Sequence, residues 1–313
     1  MSRSINKLNA NSKRQQLQLF GVASCLGAQD QRCANAPQSL QTAGLVTTLQ
    51  MRGIDARWQQ ILTPEATHKD SLSELYQRLA KEVQQTTKLR SPFLVIGGDH
   101  SCAMGTWSGA AQGLREQDAE ADLGLIWVDA HMDAHTETTS PSGALHGMPV
   151  ASLLGQGDKT YRDIAFSGAK IKPKNLCLIG IRSYEQEEAK LLHDLGVKVY
   201  FIEDVRALGL DKTLQLAITQ VSRQTAGFGI SIDMDAIDPQ DAPGVGSPVD
   251  NGLTAQELLP TFTHLRQYIT ANPSPLLGVE IAELNPERDI NHKTQALIID
   301  IIHSIFGDSN EYE

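Results

Sequence analysis

Leu123-Gly-Leu-Ile-Trp-Val128 runs straight into Asp129-Ala-His131-Met-Asp133, an apolar segment followed by three metal-binding residue types at alternate positions. A run this short, nearly continuous in hydrophobicity and closed by an acid, reads as a strand buried on both faces of a parallel sheet. In extended chain, alternate side chains point the same way. Asp129, His131 and Asp133 can therefore converge on one point just past the strand.

Segments of the same character recur at residues 17–22, 92–96, 176–180, 197–202, 227–232 and 277–281, each bounded by Gly, Asp or Pro. Between them lie candidate helices, including 71–87, 186–195, 211–222, 254–268 and 293–306. Two of these open on a capping-box pattern, Ser71 with Glu74 and Thr254 with Glu257. The alternation predicts an α/β protein: a three-layer α/β/α fold around a central, mostly parallel, doubly wound sheet. No linker or composition break divides it, so residues 16–313 read as one domain. Residues 1–15, rich in Ser, Asn, Lys and Arg and without an acid, read as a disordered tail, with a transit peptide as the alternative. Residues 129–147 and 236–252 stand outside the alternation and are long and polar. Each leaves the carboxyl end of a strand, where open α/β sheets place their ligands.

The chain has 313 residues and a formal net charge of -10. This balance argues against nucleic acid as a partner, because phosphates call for clustered Lys and Arg. It mildly favours a cationic substrate. Cys25, Cys33, Cys102 and Cys177 include no Cys-x-x-Cys pair, so reduced structural thiols are expected. No apolar run approaches the roughly 20 residues that span a bilayer, and no signal-peptide core is present. A cytoplasmic protein without a membrane partner is the expectation.

A second strand ends in Asp233-Met-Asp235 and a third in Gly97-Gly-Asp99-His100. Four carboxylates (Asp129, Asp133, Asp233, Asp235) and two imidazoles (His100, His131) are more than one ion takes if a water position stays open. They suit two ions roughly 3.5 to 4 Å apart with a bridging carboxylate, poised to activate water for hydrolysis. The absence of thiolate and the carboxylate-rich set favour Mn²⁺. The alternative, acids that merely cap loops, suits one Asp-x-Asp. It suits this set poorly, because four converging carboxylates without a cation repel one another.

At these residues the chain resembles the ureohydrolase family, which includes arginase, agmatinase and formimidoylglutamase, and is most similar to arginase. The resemblance runs through residues 97–101, 129–133, 142–147, 231–239 and 278–286. It implies a parallel α/β fold, two Mn²⁺ ions per subunit, trimers or hexamers, and cleavage of a small guanidino substrate to urea and an amine. It also implies one ion among His100, Asp129, Asp133 and Asp235, and the other among His131, Asp129, Asp233 and Asp235. By position, Asp133 doubles as proton acceptor, His146 matches the proton shuttle, and Glu283 matches the carboxylate that pairs with the guanidinium. Glu280 is left open between a supporting residue and a solvated acid.

Ser142, Glu185 and Ser247 match arginase positions for the substrate carboxylate, its α-amino group and the metal-site rim, which favours L-arginine. Two positions depart, His135 and Ala144 standing where arginases have Asn. The stretch 27–37 is also unlike the Arg-Gly-Gly loop of many arginases. Agmatinase, guanidinobutyrase or formimidoylglutamase chemistry is the runner-up. A non-catalytic metal-binding protein of the same fold is the alternative of another class, and one with no use for His146.

Overall fold

The computed structural model describes residues 15–68, 71–270 and 274–307; the tail expected over 1–15 lies, except for Gln15, outside them. Eight strands are present among the described residues: β1 (Leu17–Val22), β2 (Ala56–Leu62), β3 (Phe93–Ile96), β4 (Leu123–Val128), β5 (Leu176–Ile181), β6 (Lys198–Phe201), β7 (Gly227–Asp233) and β8 (Leu276–Ala282). They form one sheet in the order β2-β1-β3-β8-β7-β4-β5-β6. Every pairing is parallel.

Successive residues of a strand enter two different cores. On β4, Leu123, Leu125 and Trp127 pack against the helices Ser71–Lys88 and Ala103–Arg115. Ile126 and Val128 pack on the other face with the helices Leu210–Val221, Ala255–Thr270 and Lys293–Phe306. Both faces are covered, and this is why the strands read as unbroken apolar runs.

Among the elements that escaped the sequence reading are β2 and the helix Ala103–Arg115. β2 sits at the sheet edge with β1 as its partner, so half of Ala-Arg-Trp-Gln-Gln-Ile-Leu faces outward and no apolar run marks it. The helix Ala103–Arg115 carries Gly105, Gly109 and Gly113, a composition that lowers helix propensity. The glycines serve contact. A Cβ on Gly105 would fall 2.8 Å from the Tyr76 carbonyl oxygen, and one on Gly113 2.7 Å from that of Gln84. The two helices thus pack backbone to backbone, and this tertiary gain overrides propensity.

The capping box at Thr254 forms: its Oγ1 accepts from the Glu257 amide at 3.2 Å, and Glu257 Oε2 accepts from the Thr254 amide at 3.0 Å. The Ser71 hydroxyl donates back to the carbonyls of Ala66 and His68. The four cysteines are free and buried. Among the described residues no helix is long and apolar enough to cross a membrane.

Candidate active site

Five adjacent strands, β3, β8, β7, β4 and β5, deliver their carboxyl ends side by side. From these ends come Asp99 and His100, Glu283, Asp233 and Asp235, Asp129 to Asp133, and Glu185. Distant stretches of sequence meet here because parallel strands all end on the same edge.

His100 is buried, and three carboxylate oxygens surround its Nδ1: Asp233 Oδ2 at 3.1 Å, Asp129 Oδ2 at 3.2 Å and Asp133 Oδ2 at 3.3 Å. A ring nitrogen donates at most one hydrogen bond, so three acceptors around it form a ligand shell rather than a hydrogen-bond arrangement. Beside it, His131 Nδ1 lies 3.2 Å from Asp235 Oδ2 and 3.5 Å from Asp129 Oδ1. Two ligand groups result, His100 with Asp129 and Asp233, and His131 with Asp129 and Asp235, sharing Asp129. The division departs from the one expected above, since Asp233 rather than Asp235 stands against His100.

The residues present fit two cations. Asp235 Oδ1 is buried with no hydrogen-bond partner, an unsatisfied anion oxygen of the kind a metal ligates. Burial, then repulsion from Asp129, pushes the Asp133 carboxyl up to about 7. Burial and the charges of Asp235 and Asp129 push Asp233 well up. Burial likewise opposes ionisation of Asp129, but hydrogen bonds from His100 and His131 outweigh it and hold this carboxyl below its ordinary range. Divalent charge is what such a set lacks.

The ligands are held from behind. The His100 ring stacks on Trp127 at 4.0 Å, and the Trp127 indole donates to Asp129 Oδ2 at 2.9 Å. His100 Nε2 lies 2.9 Å from Ser231 Oγ, which donates to Glu280 Oε1 at 2.8 Å. Glu280 is fully buried, so of its two readings the supporting one holds. This relay leaves Nδ1 to face the carboxylates. Arg182 supplies the support on the other side, donating to the carbonyls of Asp235 at 2.7 Å, Val249 at 2.8 Å and Ala236 at 3.1 Å.

A cavity of about 220 Å³ opens over this floor. His131, Asp133, Asp233 and Asp235 lie at its base, with His146, Ser142, His135, Glu185 and Ser247 around it. The structure thus brings together every candidate read from the sequence, with His100 and Asp129 buried below and Glu283 behind. Glu283 does not line the cavity: its Oε1 accepts from His146 Nδ1 at 2.9 Å and from the His100 amide at 3.1 Å. Burial works against its ionisation, but His146 prevails and holds the carboxyl below its ordinary value. Burial likewise opposes a charged His146, and Glu283 overcomes it, lifting that imidazole to about 9. Both Asp133 (φ 51°) and Glu283 (φ 67°) occupy the left-handed region, strain of order 1–3 kcal/mol that the surrounding packing sustains.

The sequence reading missed Glu188, Asp99, Ser231 and Arg182. Glu188 is buried on the cavity wall, where it accepts from the amides of Ala134 and Glu185 at 2.9 and 3.0 Å. Its three-residue spacing from Glu185, just ahead of the helix Gln186–Leu195, was the available signal. Asp99 Oδ2 accepts from the Gly27 amide at 2.9 Å, and the Gly27 carbonyl accepts from the His146 amide at 3.2 Å. Asp99 therefore anchors the loop against which the His146 segment rests.

Residues 15–307 match the model of the Arginase family. An arginase of Bacillus caldovelox is 34% identical over 304 residues, spanning 93% of this chain and 98% of the relative. Crystal structures of arginase from Bacillus subtilis (TM-score 0.86, 30% identity, 95% of this chain and 100% of that one) and from Bacillus caldovelox (TM-score 0.85, 33% identity, 95% and 99%) share the fold. The chain belongs to the arginase family, hydrolases of guanidino carbon–nitrogen bonds.

Proposed function

We propose that the chain hydrolyses the guanidinium of free L-arginine to urea and L-ornithine, with two Mn²⁺ ions held by His100, Asp129, His131, Asp133, Asp233 and Asp235. The observation that carries this reading is one cavity with four ligating side chains at its floor, His146 backed by Glu283 on one side, and the acids Glu185 and Glu188 on the wall. Mn²⁺ is what the family resemblance implies, and a carboxylate-rich donor set without thiolate accords with it. When bound, such an ion pair supplies the Lewis acidity that brings the pKa of a water toward neutrality.

The chain's own residues do the rest. Asp133 takes up the proton released as water adds to the guanidinium carbon. His146, held protonated by Glu283, delivers a proton to the departing amine. Glu283 acts through His146; the two-point pairing with the guanidinium expected of it would require this carboxylate to leave His146 and reach the cavity. At the far end Glu185 and Glu188 meet the substrate ammonium, Ser142 and His135 its carboxylate, and Ser247 lines the wall beside the floor. A cytoplasmic location and one ureohydrolase unit over residues 16–313, both expected from the sequence, and assembly into trimers or hexamers, which the family resemblance implies, complete the proposal.

One observation favours a second reading, an amine-ended substrate. His135 Nδ1 lies 3.1 Å from Thr139 Oγ1 and Nε2 3.0 Å from Glu185 Oε2, and Ala144 offers no side-chain donor to a carboxylate. The test is kcat/KM from urea release, with and without added Mn²⁺, for L-arginine and its decarboxylated analogue. Preference for L-arginine supports the first reading; preference for the analogue overturns the roles of Ser142 and His135.

A further inference from the structure

The outer wall of the cavity carries a ligand group apart from the two at its floor. His135 Nε2 lies 3.0 Å from Glu185 Oε2 and 3.4 Å from Glu188 Oε2, and these three groups converge within 4.8 Å of one another. We propose that His135, Glu185 and Glu188 bind a third divalent cation, of the kind that takes one imidazole and two carboxylates, Zn²⁺ foremost.

The geometry carries this in three steps. First, Thr139 Oγ1, 3.1 Å from His135 Nδ1, also receives the Thr136 amide at 2.9 Å. Its own proton is directed at the Thr136 carbonyl, 3.5 Å away, so it is left to accept from Nδ1–H, which directs the Nε2 lone pair at two carboxylates. A proton on Nε2 would bridge to one of them; a cation serves both. An imidazole whose other nitrogen is fixed by a neighbour is the usual state of a metal-ligating histidine.

Second, two of the three ligands are already held in place. His135 and Glu188 are buried, and Glu188 is fixed by the amides of Ala134 and Glu185, while Glu185 caps the helix Gln186–Leu195. Little ordering remains to oppose binding. Third, Glu185 and the cavity give an ion a path from solvent and leave water positions open, so three protein ligands suffice. For such a site the affinity order of divalent metals puts Zn²⁺ well above Mn²⁺. A consequence rests on the proposed function: an ion here occupies the acids assigned to the substrate ammonium, so it competes with L-arginine.

The experiment is equilibrium dialysis of the full-length, Mn²⁺-loaded protein against Zn²⁺, counting both metals per chain so that exchange at the floor registers as manganese loss. The expected result is a zinc ion bound in addition to retained manganese, with its affinity reduced about tenfold or more in His135→Asn and in Glu185→Gln. An extra ion bound equally by all three proteins, or none in the wild type, overturns the proposal. In parallel, KM for L-arginine should rise with zinc in the wild type while kcat holds, and the rise should vanish in His135→Asn. An extra ion lost in the variants but without effect on KM supports the cation site and counts instead against the assignment of Glu185 to the substrate.

Discussion

His146 Nδ1 and Glu283 Oε1 lie 2.9 Å apart, joining a loop after β4 to the end of β8 across 137 residues of sequence. The pair sets the charge of the only cavity-lining imidazole assigned to proton delivery. In the metal-free protein His146 should titrate near 9, above its ordinary 6.5, because it gains a carboxylate on folding. The corresponding stability is complete below about 6.5 and is lost as pH rises through 9. Glu283→Gln removes the anion, so the titration observed by NMR should fall by more than a unit. A midpoint unmoved in the variant would detach Glu283 from this role. In the loaded enzyme, His146→Ala should lower kcat about 10²-fold or more with manganese content intact, the size of a lost proton transfer.

The relay from His100 Nε2 through Ser231 to Glu280 supports one ligand group and not the other. Ser231→Ala should therefore weaken one ion of the pair by about 10–100-fold and leave the second within a few-fold. Calorimetric titration of the metal-free variant with Mn²⁺ checks this, since two separated binding steps should replace the wild-type pattern. Because both His100 and Glu280 lose a buried partner, a stability loss of about 1–3 kcal/mol should accompany it.

What could be read beforehand followed from burial on both faces. Residues 123–128, 176–180 and 227–232 declared themselves because every residue in them is buried. Their terminal acids stood out because nothing in a core calls for Asp129 or Asp233. β2 was silent because an edge strand is half polar, and the helix Ala103–Arg115 because its glycines answer to Tyr76 and Gln84 across the interface rather than to helix propensity. In the site, ligand identity was legible and pairing was not. Whether Asp233 or Asp235 meets His100 depends on the turn after β7, where Asp233 Oδ1 accepts the Asp235 amide at 2.8 Å and the chain bends. Likewise Ser231 is an ordinary strand serine until β3 and β8 bring His100 and Glu280 to its hydroxyl.

Removing the metals should expose the cost of the clustered carboxylates. With Asp133 raised to about 7 by burial and by Asp129, its folded form holds a proton that the unfolded chain gives up near 3.8. Stability is therefore complete below about 3.8 and falls as pH rises toward 7. Chelator-treated wild type should thus lose melting temperature between pH 5 and 7.5 more steeply than chelator-treated Asp133→Asn. Parallel curves would show that Asp133 is not the strained acid. Adding Mn²⁺ at about a thousand times its dissociation constant should restore about 4 kcal/mol per independent site to the wild type.

Arg182 tests whether the floor depends on its support. The guanidinium reaches the carbonyls of Asp235, Ala236 and Val249 from Nη1 and Nη2, and Nε donates to the Asp250 carbonyl at 3.1 Å. One planar fork thereby ties residues 235–250 to the end of β5, carrying both Asp235 and Ser247. Lysine keeps the charge but is a single point with three donors, and it cannot span carbonyls on both sides of that loop. Arg182→Lys should therefore leave the fold intact and loosen this loop. Amide exchange over residues 236–250 should quicken, and activity should fall together with Mn²⁺ affinity, because Asp235 moves with its backbone. Unchanged exchange in this segment would mean that the Ile237 to Leu253 bridge alone suffices to hold it.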